Sequence, residues 1–175
     1  MAFEKQDLRT IVESVSDLLT PQIKEKNIEW VSKIDDNIPK ILADRNQIER
    51  VFINLLGNAI KFTPVDGQIS MTIKLKTIHE LSLPVTIPKS FLKNFEKMIL
   101  VEIADNGIGI AEKDIPHLFD EFYRVDNEIN QVVKGTGLGL SLVRKIIEAH
   151  HGQIWVTSQV NKGSCFHFIL PAENI

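Results

Sequence analysis

Between Leu8 and Ile23 the apolar residues Leu8, Ile11, Val12, Val15, Leu18, Leu19 and Ile23 recur at helical spacing, which predicts an amphipathic helix over 7–26. Asp7 stands where an N-cap belongs, and Pro21 is placed to kink the helix. Ile28 to Ile34 reads as a strand. Asp44-Arg45-Asn46-Gln47 reads as a capping box opening a second helix that Thr63-Pro64 closes. Its core face would be Ile48, Val51, Phe52, Leu55, Ala59 and Phe62. Gln68–Leu75 and Ile99–Ala104 look like strands. The stretch between them, about 76–97, is too long for a hairpin turn and reads as an insertion. Ile110 to Ile115 reads as a turn leading into a short helix, and Ser141 to Ile147 has helical spacing again. Gln153–Gln159 and Ser164–Leu170 form a last strand pair around Asn161-Lys162-Gly163. Helices and strands mix without regular βαβ alternation. The expected class is therefore α+β, a two-layer α/β sandwich with helices on one face of a mostly antiparallel sheet.

At 175 residues the chain is expected to be one domain, with 43% hydrophobic and 25% charged residues as in an ordinary globular protein. A formal charge of −3 argues against nucleic acid as the partner, because phosphate backbones attract basic faces. No apolar run approaches a membrane span and no signal-peptide core is present, so no membrane contact is expected of this stretch. Cys165 is the only cysteine, which excludes an internal disulfide and a zinc site built on cysteines, and suits a reducing, cytoplasmic compartment.

Three features need more than architecture. Asn54, Asn58 and Lys61 stack on one stripe of the second helix, although asparagine there costs about 0.5 kcal/mol relative to alanine. A polar wall facing a charged ligand accounts for them: an amide carbonyl suits a hard cation, and a lysine meets phosphate as a point charge. The glycine clusters Asp105-Asn106-Gly107-Ile108-Gly109-Ile110 and Gly135-Thr136-Gly137-Leu138-Gly139-Leu140 imply backbone that something approaches closely. The second cluster runs into a helix start, where free N–H groups and a positive dipole end suit phosphate. It is no Walker A loop, because no Lys-Ser/Thr pair follows, and Leu140 stands where a Rossmann fingerprint needs its third glycine. Asp105, ending a buried strand, can accept from an exocyclic amine and so favour adenine over guanine. A nucleotide is implied, its base at the first cluster and its phosphates at the second.

The run Asn54 to Phe62 resembles the N box of sensor histidine kinases, and Asp105–Ile110 resembles the G1 box. Phe119–Arg124 is similar to the F box and Gly135–Leu140 to the G2 box, all in the family's order, with similarity from about 8 to 171. The resemblance implies the ATP-binding catalytic domain of a two-component histidine kinase, with the Bergerat-type fold of the gyrase, chaperone and mismatch-repair ATPases. By that resemblance Asn58 coordinates Mg²⁺ with Asn54 assisting, Lys61 reaches the phosphates, and Asp105 takes the adenine amine. Gly107 and Gly109 let the base approach beside Ile110. Tyr123 and Arg124 border the ATP, and 124–134 forms a lid. Lys134, Gly135, Thr136, Gly137, Leu138, Gly139 and Leu140 wrap the phosphates. Phe119 and Phe122 are expected as core aromatics that anchor the lid.

Where hydrolytic relatives carry a water-activating glutamate, this chain has Asn54, which cannot act as a base at neutral pH. The γ-phosphate is then expected to pass to a protein nucleophile. That nucleophile, a histidine on a dimerisation domain, is expected outside this chain, with a response regulator downstream and a parent protein free to be membrane-anchored. His79-Glu80-Leu81-Ser82-Leu83-Pro84 imitates the acceptor motif but follows the N box instead of preceding it, and reads as coincidence. His150 and His151 sit at a helix end whose dipole favours imidazolium; His117 and His167 read as structural. The alternatives are a non-catalytic ATP-sensing module, an ATP hydrolase, which Asn54 disfavours, and an anti-sigma-factor serine kinase, from which the Phe119–Arg124 box points away.

Overall fold

The computed structural model describes residues 1–84, 95–133 and 135–172. The first amphipathic run forms α1 (Leu8–Glu25), with the Asp7 carboxylate accepting from the Arg9 N–H at its start. Leu8, Ile11, Val12, Val15 and Leu19 are buried, whereas Leu18 points to solvent. Helical geometry carries Leu18 off the core-facing stripe, so the expected apolar face is one residue narrower. Pro21 lies inside α1 without ending it. After β2 (Glu29–Ile34) and β3 (Ile41–Ala43), α2 (Arg45–Phe62) begins at Asp44, whose carboxylate accepts from the Gln47 N–H at 3.2 Å.

Only half of the expected capping box forms there. The Asp44 N–H is taken by His150 Nε2 at 3.0 Å instead of by the Gln47 side chain. At the other end of α2 the Lys26 ammonium donates to the carbonyls of Ile60, Lys61 and Thr63, a cation on the negative end of the dipole. Partial burial pushes the Lys26 ammonium down from its usual value.

The remaining elements are β4 (Gln68–Thr77), β5 (Lys97–Asp105), a short helix α3 (Glu128–Val132), α4 (Gly139–Ala149), β6 (Gln153–Gln159) and β7 (Gly163–Pro171). Five strands make one sheet in the order β2-β4-β5-β7-β6, parallel only between β2 and β4. The strands β1 (Glu4–Gln6) and β3 pair antiparallel as a separate ribbon. α2 packs between α1 and α4 over β5, and the core lies between these helices and one sheet face. Alternation supplies that face: Ile69, Met71 and Ile73 on β4, Val101 and Ile103 on β5, Phe166 and Phe168 on β7. Phe52 of α2 meets Phe168 edge-on at 5.7 Å between ring centroids. The α+β sandwich expected from the pattern is the fold observed.

β4 runs on to Thr77 and β5 starts at Lys97, so the inserted stretch springs from the ends of two paired strands. His79 lies in a single 3₁₀ turn, Ile78–Glu80, where the Glu80 carboxylate accepts from the Thr77 N–H and hydroxyl. Residues 85–94, which include Phe91, lie outside the described residues.

Candidate functional site

The C-terminal half of α2, the loop after β5, the segment from Tyr123 to Val133 and the start of α4 enclose a cavity of about 350 Å³. Its walls bring together Asn58, Lys61, Asp105, Gly109, Ile110, Tyr123 and Arg124 from the residues singled out in the sequence. Gly135, Thr136, Gly137, Gly139 and Leu140 complete that set. Three others do not reach the wall. Asn54 donates to the Arg50 carbonyl at 2.8 Å, and its Oδ1 lies 2.7 Å from where a Cβ on Gly139 would stand. Gly107 sits behind Asp105, and Leu138 turns partly to solvent. Lys134 lies outside the described residues.

Asp105, the last residue of β5, lines the cavity. Its Oδ1 accepts from the Gly107 N–H at 2.8 Å. Burial pushes its carboxyl above the usual value, and hydrogen bonds from the Gly107 and Ser164 backbone partly offset that. Ser164 and Phe166 of β7 line the cavity beside it. The Ile110 N–H donates to Ser158 Oγ at 2.8 Å and the Asn161 N–H to the Ile108 carbonyl at 2.8 Å, which fasten the loop to the β6–β7 hairpin.

Lys61 and Arg124 line the same cavity. Burial, then the neighbouring Arg124 guanidinium, holds the Lys61 ammonium below its usual value. Its Nζ donates to Asn130 Oδ1 at 2.6 Å and lies 4.7 Å from the centre of the Phe62 ring. Asn130 also donates from its backbone to Asn127 Oδ1, and from its amide to the Val125 carbonyl. Arg124 Nη2 donates to the carbonyls of Asn130 and Val133, closing the C-terminal end of α3. The Tyr123 hydroxyl is engaged outside this network, donating to Asp114 Oδ1 at 2.6 Å, and that bond holds the phenol above its usual value.

α4 starts without a side-chain cap, with Gly137, Gly139 and Leu140 on the cavity wall. The first N–H groups of a helix have no intrahelical acceptor, so this wall offers donors and a positive dipole end.

The glycines also have an architectural cause. A Cβ on Gly107 would collide with the Phe62 carbonyl, and one on Gly109, at φ +68°, with the Gln159 carbonyl. Gly137, at φ +72°, backs onto the Phe122 backbone. At these positions the protein's own backbone fills the space a Cβ would need, so glycine is required there by packing as well. Gly135 differs, with only the Arg124 guanidinium near it, at 3.7 Å.

Phe62 also departs from expectation, being half-buried on the cavity wall instead of in the core. Of the two aromatics expected as core, Phe119 is half-buried and packs edge-on against Phe166. Phe122 is 70% exposed, because a backbone at φ +64° turns its ring outward. His150 is not the imidazolium its helix-end position suggested. The Asp44 N–H can only donate, so Nε2 carries a lone pair, and Nδ1 donates to the Ile146 carbonyl at 2.8 Å from a neutral, buried ring. Val125, Asn127 and Asn130, expected only as part of the 124–134 lid, and Ser164, which was not singled out, also line the cavity; no residue pattern marks a long-range partner of Lys61 or a neighbour of Asp105.

Residues 43–174 match the family described as histidine kinase-, DNA gyrase B-, and HSP90-like ATPase, and the chain belongs to that family. It is 39% identical over 150 residues to the adaptive-response sensory kinase SasA of Gloeothece citriformis, covering 86% of this chain and 33% of that protein. The chain thus spans about a third of that relative's length. Among solved structures it resembles the catalytic domain of histidine kinase ThkA, with TM-score 0.75 and 29% identity over 98% of this chain and 99% of that one. ThkA in complex with response regulator protein TrrA aligns with TM-score 0.70 and 27% identity, over 97% of this chain and 42% of that one. The family, the sandwich fold and a kinase-type ATPase domain are thereby established. No helix among the described residues is long and apolar enough to cross a membrane.

Proposed function

We propose that this chain binds Mg²⁺–ATP and positions the γ-phosphoryl group for transfer to a histidine on a dimerisation and phosphoacceptor domain of its parent protein. A response regulator would follow, in two-component signalling within the cytoplasm. The observation that carries this reading is the set of charges on one cavity. A half-buried carboxylate, Asp105, lines the same cavity as the Lys61 and Arg124 cations and the uncapped start of α4. An adenine amine and a polyphosphate chain match these groups.

The Asp105 carboxylate would accept from the exocyclic amine, with the Gly107 N–H holding its other contact in place. Lys61, the α4 N–H groups and Gly135 to Leu140 would bind the phosphates, with Lys134 beside them. Asn58 supplies one hard carbonyl oxygen on the wall, which suits Mg²⁺, an ion that keeps several waters and uses phosphate oxygens. When bound, Mg²⁺ would offset phosphate charge. Asn54 would support Asn58 and Gly139 from behind. An amide at that position removes no proton from water, which spares the γ-phosphoryl group for an imidazole nitrogen. In the transfer a P–N bond forms, the P–O bond to the β-phosphate breaks, and the imidazole proton passes to solvent.

The test is calorimetry on the 175-residue chain. Asn58→Ala, a half-exposed position, should leave the far-ultraviolet circular dichroism unchanged while removing Mg²⁺-dependent ATP affinity. Unchanged Mg²⁺–ATP binding in the folded variant would overturn this assignment.

A further inference from the structure

On the sheet face turned away from the helices, three side chains of metal-ligating type converge. Glu102 of β5 and His167 of β7 are direct cross-strand partners, and Cys165 lies two residues before His167 on the same strand. Their sequence neighbours Val101, Ile103, Phe166 and Phe168 point into the core, so the alternation of the strands places these three on the opposite face from the nucleotide cavity. Glu102 Oε1 is 3.3 Å from His167 Nδ1, Cys165 Sγ is 3.8 Å from the same nitrogen, and all three ligand atoms lie within 4.8 Å of one another. Tetrahedral zinc, with Zn–S of about 2.3 Å and Zn–N or Zn–O of about 2.0 Å, sets neighbouring ligand atoms about 3.3–3.6 Å apart. The strand register alone nearly supplies that spacing.

The surroundings are arranged as outer support. Glu102 Oε2 accepts from Thr72 Oγ1 at 3.0 Å and Lys74 Nζ at 3.1 Å, which leaves Oε1 turned toward the cluster. Thr157 Oγ1 lies 2.8 Å from His167 Nε2. A hydroxyl can accept from Nε2–H, and in that tautomer the Nδ1 lone pair faces the thiol and the carboxylate. Trp155 stacks flat on the imidazole, 5.3 Å between centroids at 5°, fixing the ring plane. The His167 and Glu102 side chains keep 14% and 27% exposure, so an ion reaches them from solvent.

We propose that Glu102, Cys165 and His167 form a binding site for Zn²⁺ or a cation of the same borderline-soft class, with a fourth position open to water. One thiolate, one carboxylate and one neutral imidazole balance a divalent charge. The sulfur and nitrogen donors select against Mg²⁺ and Ca²⁺. As the metal–sulfur bond forms, the Cys165 thiol releases its proton to water. A single cysteine excludes a site built on thiolates alone, but not a mixed set assembled by strand pairing. A bound ion would clip β5 to β7.

The test uses the reduced 175-residue chain in nucleotide-free buffer, titrated with Co²⁺ and then Zn²⁺. One equivalent of Co²⁺ should give a thiolate-to-cobalt charge-transfer band and quench Trp155 fluorescence, and Zn²⁺ should displace it. Cys165→Ser should abolish the band, and His167→Gln or Glu102→Gln should weaken Zn²⁺ at least about tenfold. Thr157→Val, at an exposed position that touches no metal, should weaken it about 10–100-fold and keep the band. Circular dichroism confirms that each variant is folded. Absence of the band in the folded parent chain, or Zn²⁺ affinity indifferent to Cys165→Ser and His167→Gln, would leave only a cross-strand ion pair and overturn the proposal.

Discussion

Asp105 holds a carboxylate where burial disfavours charge, and under the proposed function this sets stability against binding at one residue. Its folded-state value is raised, so its contribution to stability is greatest at pH below its unfolded value and is lost as pH rises through the folded value. Asp105→Asn keeps an oxygen to accept from the Gly107 N–H and removes the buried charge. Thermal melts should show the variant gaining on the parent as pH rises from about 3 to 7, by about 2–4 °C in Tm per kcal/mol of relieved penalty. The same variant should lose about ten- to hundredfold in ATP affinity, for one charge-assisted hydrogen bond of about 1.5–3 kcal/mol. A variant that binds ATP normally, or that melts lower than its parent at neutral pH, would refute this account. Asp105 was legible in the sequence because a carboxylate ending an apolar strand before an Asn-Gly turn is a local pattern. The Lys61–Asn130 bond was not legible, because its partners are 69 residues apart and meet only after the segment beyond Arg124 folds back over α2.

At the scale of elements, long amphipathic runs gave themselves away and short ones did not. α1 and α2 each repeat an apolar stripe over 18 residues, whereas β1 and β3 have three residues each and pair across the N-terminal helix. Nor does a pattern of two apolar strands say that β2 and β4 run parallel. The glycine clusters are legible as motifs, but their architectural cause is not, since four of their glycines face protein atoms at close range. The two causes separate by experiment. Gly109→Ala should destabilise the nucleotide-free chain by more than about 1 kcal/mol, read as a lower Tm, because it meets both a positive φ and the Gln159 carbonyl. Gly135→Ala, with ordinary contacts around its Cβ, should leave Tm unchanged and affect only nucleotide binding. Equal loss of stability in both would mean that the second cluster is architecture too. Asn130 gives a third case. Among the described residues it alone bonds α3 to Lys61, so Asn130→Ala should speed limited proteolysis between Asp126 and Val133 in the absence of ATP. Unchanged cutting would show that other contacts hold the segment.

Across the whole molecule, the five histidines bear on what the chain can do alone. None lines the cavity. His79 sits in a 3₁₀ turn beyond the end of β4, and His150 is buried and bonded through both ring nitrogens. His117 lies near Asp120 and Tyr123, His151 follows the end of α4, and His167 belongs to the far face of the sheet. In-line transfer needs the accepting nitrogen about 3–3.5 Å from the γ-phosphorus. Since none of these side chains lines the cavity that the start of α4 borders, none is placed to meet that condition for a nucleotide bound there. The 175-residue chain incubated with γ-labelled ATP should therefore carry no acid-labile, base-stable label. Addition of a separate dimerisation domain with an acceptor histidine should produce such a label on that domain, at a rate that rises with its concentration. Mapping the label to His79 of this chain would overturn the coincidence reading of 79–84. Failure to label any acceptor, with ATP binding intact, would turn the chain into an ATP-sensing module and leave the nucleotide site standing.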